Sequence, residues 1–150
     1  MNVKITYLFL FVSLILFSDI TGCMDRPSRH PCKYLIPDGY VGKVRIYFSL
    51  PDAKPLPLDG GMYVVVIPPD GRLRTSTGLE TGSAKDEYYY YSNNSSRQIP
   101  ATGWGAGGMI WGGNVSVDKD PVTNREVDYL GFFVGTEAQY QAAFQRSDRD

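Results

Sequence analysis

The stretch Lys43-Val44-Arg45-Ile46-Tyr47-Phe48-Ser49-Leu50 decides the fold class of this chain of 150 residues. Its side chains alternate, with Val44, Ile46, Phe48 and Leu50 separated by single polar or amphipathic residues. Successive side chains of a β-strand point to opposite faces of a sheet. The alternation therefore predicts a strand with one face buried and one face toward solvent.

Turn sequences flank further strand-like segments on both sides of this stretch. Pro37-Asp38-Gly39 precedes it, and Pro68-Pro69-Asp70-Gly71 follows the segment Met62 to Ile67, which is apolar on both faces. In such turns proline presets φ and glycine accepts a positive φ. The pattern predicts several short strands, with Met62 to Ile67 as a central one.

The C-terminal part of the chain predicts a hairpin followed by a helix. Asn114 to Asp118 and Glu126 to Val134 are typical of two strands joined by a solvated tip. Thr136-Glu137-Ala138-Gln139 then forms a capping-box pattern, with Gln139 three residues after Thr136. We expect a helix from about Glu137 to Arg146 that packs Tyr140 and Phe144 onto the sheet.

Together these patterns predict a single, mainly β domain over residues 34–146, followed by a tail at 147–150. The expected architecture is an antiparallel β-sandwich of about six to eight strands with one short C-terminal helix. A small β-barrel is the alternative architecture.

The N-terminal segment has the features of a secretory signal. Lys4 precedes a mainly apolar run from Ile5 to Phe17. This run is shorter than the roughly 20 residues that a helix needs to cross a membrane, and it has the length of a signal-peptide apolar region. Residues 1–22 are therefore predicted to be a cleaved signal peptide, and residues 23–33, which include His30, to be a polar tether.

The end of the signal, Ile20-Thr21-Gly22-Cys23, resembles a bacterial lipobox. The resemblance implies that Cys23 receives diacylglycerol, that cleavage occurs before it, and that its new amino group is acylated. Two or more acyl chains hold a protein stably at a membrane. The predicted location is the cell envelope, at the outer membrane if the cell has two membranes. An ordinary signal peptide with a Cys23–Cys32 disulfide is the alternative.

Aromatic residues supply the candidate ligand-binding surface. Tyr88, Tyr89, Tyr90 and Tyr91 are consecutive in a predicted strand, so one pair should line the core and the other should be partly exposed. Trp104 and Trp111 lie in a glycine-rich stretch from Gly103 to Gly113. The glycines match a Gly-x-Gly-x-x-Gly pattern, but the segment after them is typical of a strand, whereas a dinucleotide-binding loop opens a helix.

Charge and composition exclude other classes of function. The formal net charge is −1, and the loss of Lys4 and Asp19 with the signal leaves it unchanged. Without a basic block the sequence predicts no nucleic-acid partner. With one histidine, His30, and no cluster of metal ligands, it predicts no metal site and no cofactor. We therefore expect a protein that is not an enzyme.

Several segments in a fixed order resemble an uncharacterised family of bacterial secreted and lipoprotein domains. They are Ile36 to Gly42, Pro55 to Pro57, Tyr88 to Tyr91, Met109 to Gly112 and Phe132 to Thr136. The similarity covers about residues 34–145 and implies a compact β domain in the envelope. The family is one of unknown function, so the resemblance implies no catalytic or binding residues.

The sequence thus predicts a membrane-anchored binding or interaction module with an unknown envelope ligand. The alternative is an inhibitor or immunity-type protein that inserts a loop into a secreted enzyme. The candidate loops are Gly103 to Gly113 and Pro51 to Pro57.

The lipid anchor can be tested by mass spectrometry of the mature amino terminus. We expect a mature chain that begins at Cys23 and carries the added mass of acyl chains. The Cys23→Ser variant should lack this mass and remain uncleaved at that site. An unmodified Cys23, or one joined to Cys32, would contradict the prediction.

Overall fold

The structure is a computed structural model that describes residues 28–93 and 95–147. The described residues form nine strands and one helix. These are β1 (Cys32–Pro37), β2 (Gly42–Tyr47), β3 (Leu58–Asp59), β4 (Met62–Val66), β5 (Arg72–Arg74), β6 (Glu87–Ser92), β7 (Ser95–Gln98), β8 (Ile110–Lys119), β9 (Glu126–Val134) and α1 (Glu137–Ser147). Sheet A has the order β3-β4-β1-β6-β7, and sheet B has the order β5-β2-β9-β8.

The core lies between the two sheets and is built from their alternating positions. From sheet B it takes Val44 and Ile46, as the alternation of β2 predicts, together with Phe132 and Val134 of β9; from sheet A it takes Tyr34, Ile36, Val65 and Tyr90. An aromatic contact joins the sheets. Tyr34 stacks on Tyr88 at 4.8 Å between ring centroids, and Phe132 packs edge-on against both rings, at 5.3 and 5.7 Å.

The predicted mainly β fold is confirmed, and the described sheets do not close into the alternative barrel. The sheets are mixed, however, rather than antiparallel throughout. β1 runs parallel to both β4 and β6, and β2 runs parallel to β5. The cause is the route of the chain, which passes from β1 through β2 of sheet B before it returns to sheet A. A strand that returns in this way can run parallel to the first, whereas a tight hairpin always gives antiparallel neighbours.

The strand directions define two ends of the domain. The described chain enters at the end where β1 begins, which we call the entry end. β1 then runs to the opposite end, the far end, where the Tyr90 hydroxyl donates to the Tyr40 carbonyl (3.1 Å) in the turn before β2. β2 starts at this far end, where Gly42 pairs with Val134, and Val134 pairs with Ile110 of β8.

The described residues at the entry end are packed on the domain. Arg29 donates to both carboxylate oxygens of Asp86 (3.0 and 2.6 Å), and the Cys32 amide donates to Asp86 as well (2.9 Å). The His30 amide donates to Glu80 (2.9 Å). β1 therefore begins at Cys32, two residues before the predicted domain boundary at 34, because acidic side chains of the 80–86 segment bind the polar residues that were predicted as tether.

The helix begins as its capping box predicts. The Thr136 amide donates to the Gln139 side chain (2.8 Å), and the Gln139 amide donates to the Thr136 hydroxyl (3.3 Å). These reciprocal bonds satisfy two donors that the first helical turn leaves free. The observed helix, Glu137–Ser147, closely matches the predicted one.

The tip of the β8–β9 hairpin is less solvated than predicted. Asp120 is 1% exposed. Its carboxylate accepts hydrogen bonds from Arg74 of β5 (2.7 and 3.0 Å) and from the amide and hydroxyl of Thr123 (2.9 and 2.6 Å). The Arg74 guanidinium and the Thr123 donors hold the pKa of Asp120 well below its usual range. The side chain thus joins the hairpin tip to the opposite edge of sheet B.

Val65 and Val66 give a matched test of the core, because they are neighbours in β4 with opposite burial. Val65 is 1% exposed and Val66 is 44% exposed. Val65→Ala should lower the free energy of unfolding by about 2–3 kcal/mol through lost burial and a cavity. Val66→Ala should cost less than about 1 kcal/mol. Equal losses in urea denaturation would contradict the assignment of inner and outer faces.

Asp120 should make the stability depend on acid pH. Since its pKa is lowered in the folded state, its contribution is complete above the unfolded pKa of about 3.9 and is lost as the pH falls through the folded pKa. Asp120→Asn should therefore lower the free energy of unfolding by about 1.5–3 kcal/mol at neutral pH, and the difference from the parent should shrink below about pH 4. Asp118→Asn is the control, because Asp118 forms only a partly exposed ion pair with Arg45. A difference between Asp120→Asn and the parent that stays constant with pH would contradict the account.

Candidate functional site

The tyrosine run occupies β6 and is divided between its two faces. Tyr90 is buried in the core and Tyr88 is packed against it. Burial raises the pKa of both phenols, so they are neutral and act as core rings with polar tips. Tyr89 and Tyr91 point to the outer face of sheet A and are half-buried. One pair in the core and one partly outside is the arrangement that the alternation predicts.

The outward Tyr89 is held by its neighbours. Its hydroxyl donates to Glu87 (2.9 Å), and the Lys33 ammonium lies 5.2 Å from its ring centroid. Two of the four tyrosines thus complete the core, and a third is engaged on the sheet surface. A ligand-binding role for the tyrosine run stays a prediction.

The two tryptophans lie on the outer face of sheet B, away from the tyrosine run. Trp104 and Trp111 contact each other at 4.7 Å between ring centroids, and Tyr140 of α1 lies 5.7 and 6.0 Å from them. Tyr140 also contacts Phe133 (5.6 Å) and Phe144 (6.2 Å). We call these five residues the aromatic cluster. Its outermost members, Trp104 and Phe144, are each 58% exposed.

Local backbone features place these rings together. The register of β8 against β9 shifts between Trp111 and Asn114, and Gly112 in this bulge has φ +64°. A Cβ atom at Gly112 would lie 3.1 Å from the Tyr140 hydroxyl, so the close approach of α1 favours glycine there. The Trp111 indole N–H donates to the Gly135 carbonyl (2.8 Å), which fixes its ring beside the start of the helix.

The Trp104 loop is held on the helix as well. The Gly105 amide donates to Glu137 in the first turn of α1 (2.9 Å), and the Met109 amide donates to the Pro100 carbonyl (2.8 Å). The loop therefore presents Trp104 in a defined position although most of its ring faces solvent.

A cleft of about 210 Å³ lies beside the cluster, between α1 and sheet B. Aromatic rings form one part of its lining, and Lys43, Arg45 and Asn114 form a polar part. Arg45 is paired with Asp118 and lies 5.4 Å from the Tyr129 ring. Lys43 is exposed at the edge, and the described residues provide no ion-pair partner for it. A pocket of this size holds one ring or side chain, since drug-sized ligands need about 300 Å³ or more.

The structure thus brings together only part of the predicted surface. Trp104 and Trp111 meet, whereas Tyr88 to Tyr91 belong to the other sheet. The sequence missed Phe133 and Lys43, and it treated Tyr140 and Phe144 only as packing residues. Their four-residue spacing on a capped helix signals an apolar face, but no local pattern identifies the sheet surface that this face covers.

A second cleft, also of about 210 Å³, opens at the entry end. Arg29, His30, Cys32 and Glu80 lie at its polar side. His30 Nδ1 is 2.9 Å from Glu80, and the Tyr63 hydroxyl donates to Glu80 (3.1 Å). Cys32 is a free cysteine, and burial raises the pKa of its thiol. This thiol is therefore protonated at neutral pH and is a weak nucleophile.

Metal-binding clusters and membrane-spanning helices are both absent from the described residues. They contain no group of three or more His, Cys, Asp or Glu side chains placed to hold a metal ion. None of the helical structure in residues 28–93 and 95–147 has the length and apolar character needed to cross a membrane. The predicted lipidation residue Cys23 and the signal segment 1–22 lie outside the described residues.

Comparisons with known proteins extend these findings. A crystal structure described as "Putative Lipoprotein from Bacillus anthracis" is similar with a TM-score of 0.59 and 23% sequence identity, over 71% of each chain. This likeness supports the fold. No curated protein matches the chain. The model of a family of unknown function, DUF6843, matches residues 28–143. Apart from Phe144, this match includes the residues of both clefts and of the aromatic cluster, and the chain belongs to the DUF6843 family.

Proposed function

We propose that this chain is a lipid-anchored lipoprotein of the bacterial cell envelope whose aromatic cluster binds an envelope ligand. Support for the anchor comes from the lipobox-like Ile20-Thr21-Gly22-Cys23 and from the description of the similar Bacillus anthracis structure as a lipoprotein. The comparisons give no support to an outer-membrane location, so the proposal stops at the envelope.

The observation that carries the binding role is the exposure of Trp104. Trp104 has 58% of its surface in solvent. Its loop is hydrogen-bonded to α1, and its ring contacts Trp111 and Tyr140. An apolar surface is therefore held exposed in a fixed position. Contiguous exposed apolar surface marks interaction sites, whereas single exposed residues do not. Trp104 is joined through Tyr140 to Phe144, which is equally exposed. Tryptophan and tyrosine also dominate the energy of binding surfaces.

The lining of the cleft supports one class of ligand. Its rings accept a flat apolar group of about one ring in size, and the Lys43 ammonium at the edge favours a negative charge beside it. We infer a ligand that combines ring-shaped units with carboxylates. Soluble peptidoglycan fragments are a suitable probe, because they contain sugar rings and acidic peptide groups.

The position of the cluster suits a tethered binding protein. Trp111 and Phe133 are adjacent to Val134 at the far end of the domain, whereas β1 begins with Cys32 at the entry end. The six residues of β1 separate the two ends by about 17 Å. An anchor a few residues before Ser28 therefore leaves the cluster free to contact envelope components beyond the membrane surface.

The alternative function, an inhibitor or immunity-type protein with an inserting loop, stays a prediction. The Pro51 to Pro57 loop is fixed by the Leu56 amide, which donates to Thr77 (2.8 Å), and by the Asp52–Arg74 ion pair (2.8 Å). No observation on the described residues favours this alternative over the aromatic cluster.

Intrinsic fluorescence tests the binding role directly, because Trp104 and Trp111 are the two tryptophans of the chain. Peptidoglycan fragments should change the emission of the parent protein in a saturable manner. Trp104→Ala should weaken binding by roughly tenfold or more, in line with the loss of a large aromatic contact beside the cleft. Calorimetric titration should give the same ranking of the variants.

Tyr89→Ala is the matched control, since Tyr89 is an aromatic residue on the outer face of the other sheet. If the aromatic cluster is the site, this variant binds like the parent. A loss of binding by Tyr89→Ala alone would instead assign the ligand to the tyrosine run. Equal binding by Trp104→Ala and the parent would contradict the proposed site. A loss of binding that follows a loss of melting temperature would show that Trp104 supports the fold and not the ligand.

A further inference from the structure

Strand β8 has an unusually long open edge. It pairs with β9 on one side, and it is the last strand in the order of sheet B. Six consecutive residues, Gly112 to Val117, are exposed. The opposite side of this stretch is therefore open to solvent in the described part of the chain. Backbone groups at such an edge can pair with another strand.

The other sheet edges are short by comparison. β3 has two residues, β5 has three and β7 has four, whereas β8 has ten. Natural proteins protect long edges with charged residues, proline or bulges. β8 has a bulge between Trp111 and Asn114, but Asn114 to Val117 contains no charge and no proline. The stretch from Asn114 to Val117 thus remains available for pairing, and the charged Asp118 and Lys119 follow it.

Two exposed valines adjoin this edge. Val115 is 49% exposed and Val117 is 57% exposed. Val115 pairs with Leu130, which packs against the core, so these side chains lie on the inner face of sheet B without cover from sheet A. An added strand would bury both valines and would satisfy the open backbone groups.

We propose that the edge of β8 is a homodimer interface, in which a second copy adds its own β8 antiparallel to the first. The sequence favours a two-fold axis at Ser116. In this register Val115 of each copy lies opposite Val117 of the other, and Asn114 lies opposite Asp118. All four valines then form one apolar group, and no like charges face each other.

The position of the chain entry is compatible with two copies on one membrane. The cleft that contains Val115 is also lined by Arg29 and Cys32, so the entry end is level with the proposed axis. The described part of each copy therefore begins close to the axis, although the two domains extend in opposite directions from it. Copies anchored to one surface also meet at a high effective concentration, which favours a small interface of this kind.

The dimer joins the two B sheets into one sheet of eight strands. A two-fold axis perpendicular to this sheet keeps both outer faces, and hence both aromatic clusters, on the same side. Two weak sites on one side of a rigid body bind a repetitive ligand more tightly than one site. The interface does not depend on ligand binding by the clusters, although its effective concentration rests on the proposed lipid anchor.

Cysteine crosslinking of the full-length protein in its membrane tests this interface. Ser116 faces its own symmetry mate, and opposed residues of antiparallel strands have Cα separations that allow a disulfide. The Ser116→Cys variant should give a disulfide-linked dimer on a non-reducing gel, above the background from Cys32 in the parent protein. The Val66→Cys variant, which introduces an exposed thiol on β4, should remain at background.

A second substitution separates pairing from random collision. Val117→Lys, added to Ser116→Cys, puts a charge at the centre of the interface and should abolish the crosslink, while the same lysine at Val66 should leave it intact. Circular dichroism and melting temperature should confirm that each variant is folded. The proposal is overturned if Ser116→Cys crosslinks no more than Val66→Cys, or if its product has the mass of a complex with a different protein.

Discussion

The contact between Tyr34, Tyr88 and Phe132 is the constraint on which the rest of the structure depends. Two rings of sheet A and one of sheet B meet at distances of 4.8 to 5.7 Å, in stacked and edge-on arrangements that aromatic quadrupoles favour. Because this contact joins the sheets at β1, β6 and β9, it places the central strands of the sandwich. It also places the inward tyrosines of the run, Tyr88 and Tyr90, in the core.

The aromatic cluster and its cleft are formed by the docking of the C-terminal helix α1 on sheet B. After β9 leaves the core at Val134, α1 turns back over the outer face of sheet B and brings Tyr140 against Phe133 and Trp111. The glycine bulge in β8 makes room for this helix, and the Trp104 loop bonds to its first turn. The site is therefore a consequence of helix docking at the far end, which explains why residues distant in sequence form one cleft.

Local patterns predicted much of this fold. The inward positions of Val44 and Ile46, the capping box at Thr136 and the hairpin from Asn114 to Val134 each depend on neighbouring residues, and each is observed. Tyr47, on the face of β2 that was predicted to meet solvent, is buried. The parallel pairs of β1 and β2 could not be predicted, because they depend on which sheet each strand joins. The burial of Asp120 likewise requires Arg74, which is distant in sequence. The packing of residues 28–31 could not be predicted either, because it requires Asp86 and Glu80, which are distant in sequence.

The central claim is that the anchor at one end holds the aromatic cluster away from the membrane. Quenching of tryptophan fluorescence by brominated lipids measures this most directly, because Trp104 and Trp111 report from the cluster alone. In vesicles that contain the lipid-anchored protein, we predict that bromine in the acyl chains leaves the emission unchanged while a water-soluble quencher reduces it. Strong quenching by the brominated lipids would place the cluster in the membrane and contradict the account.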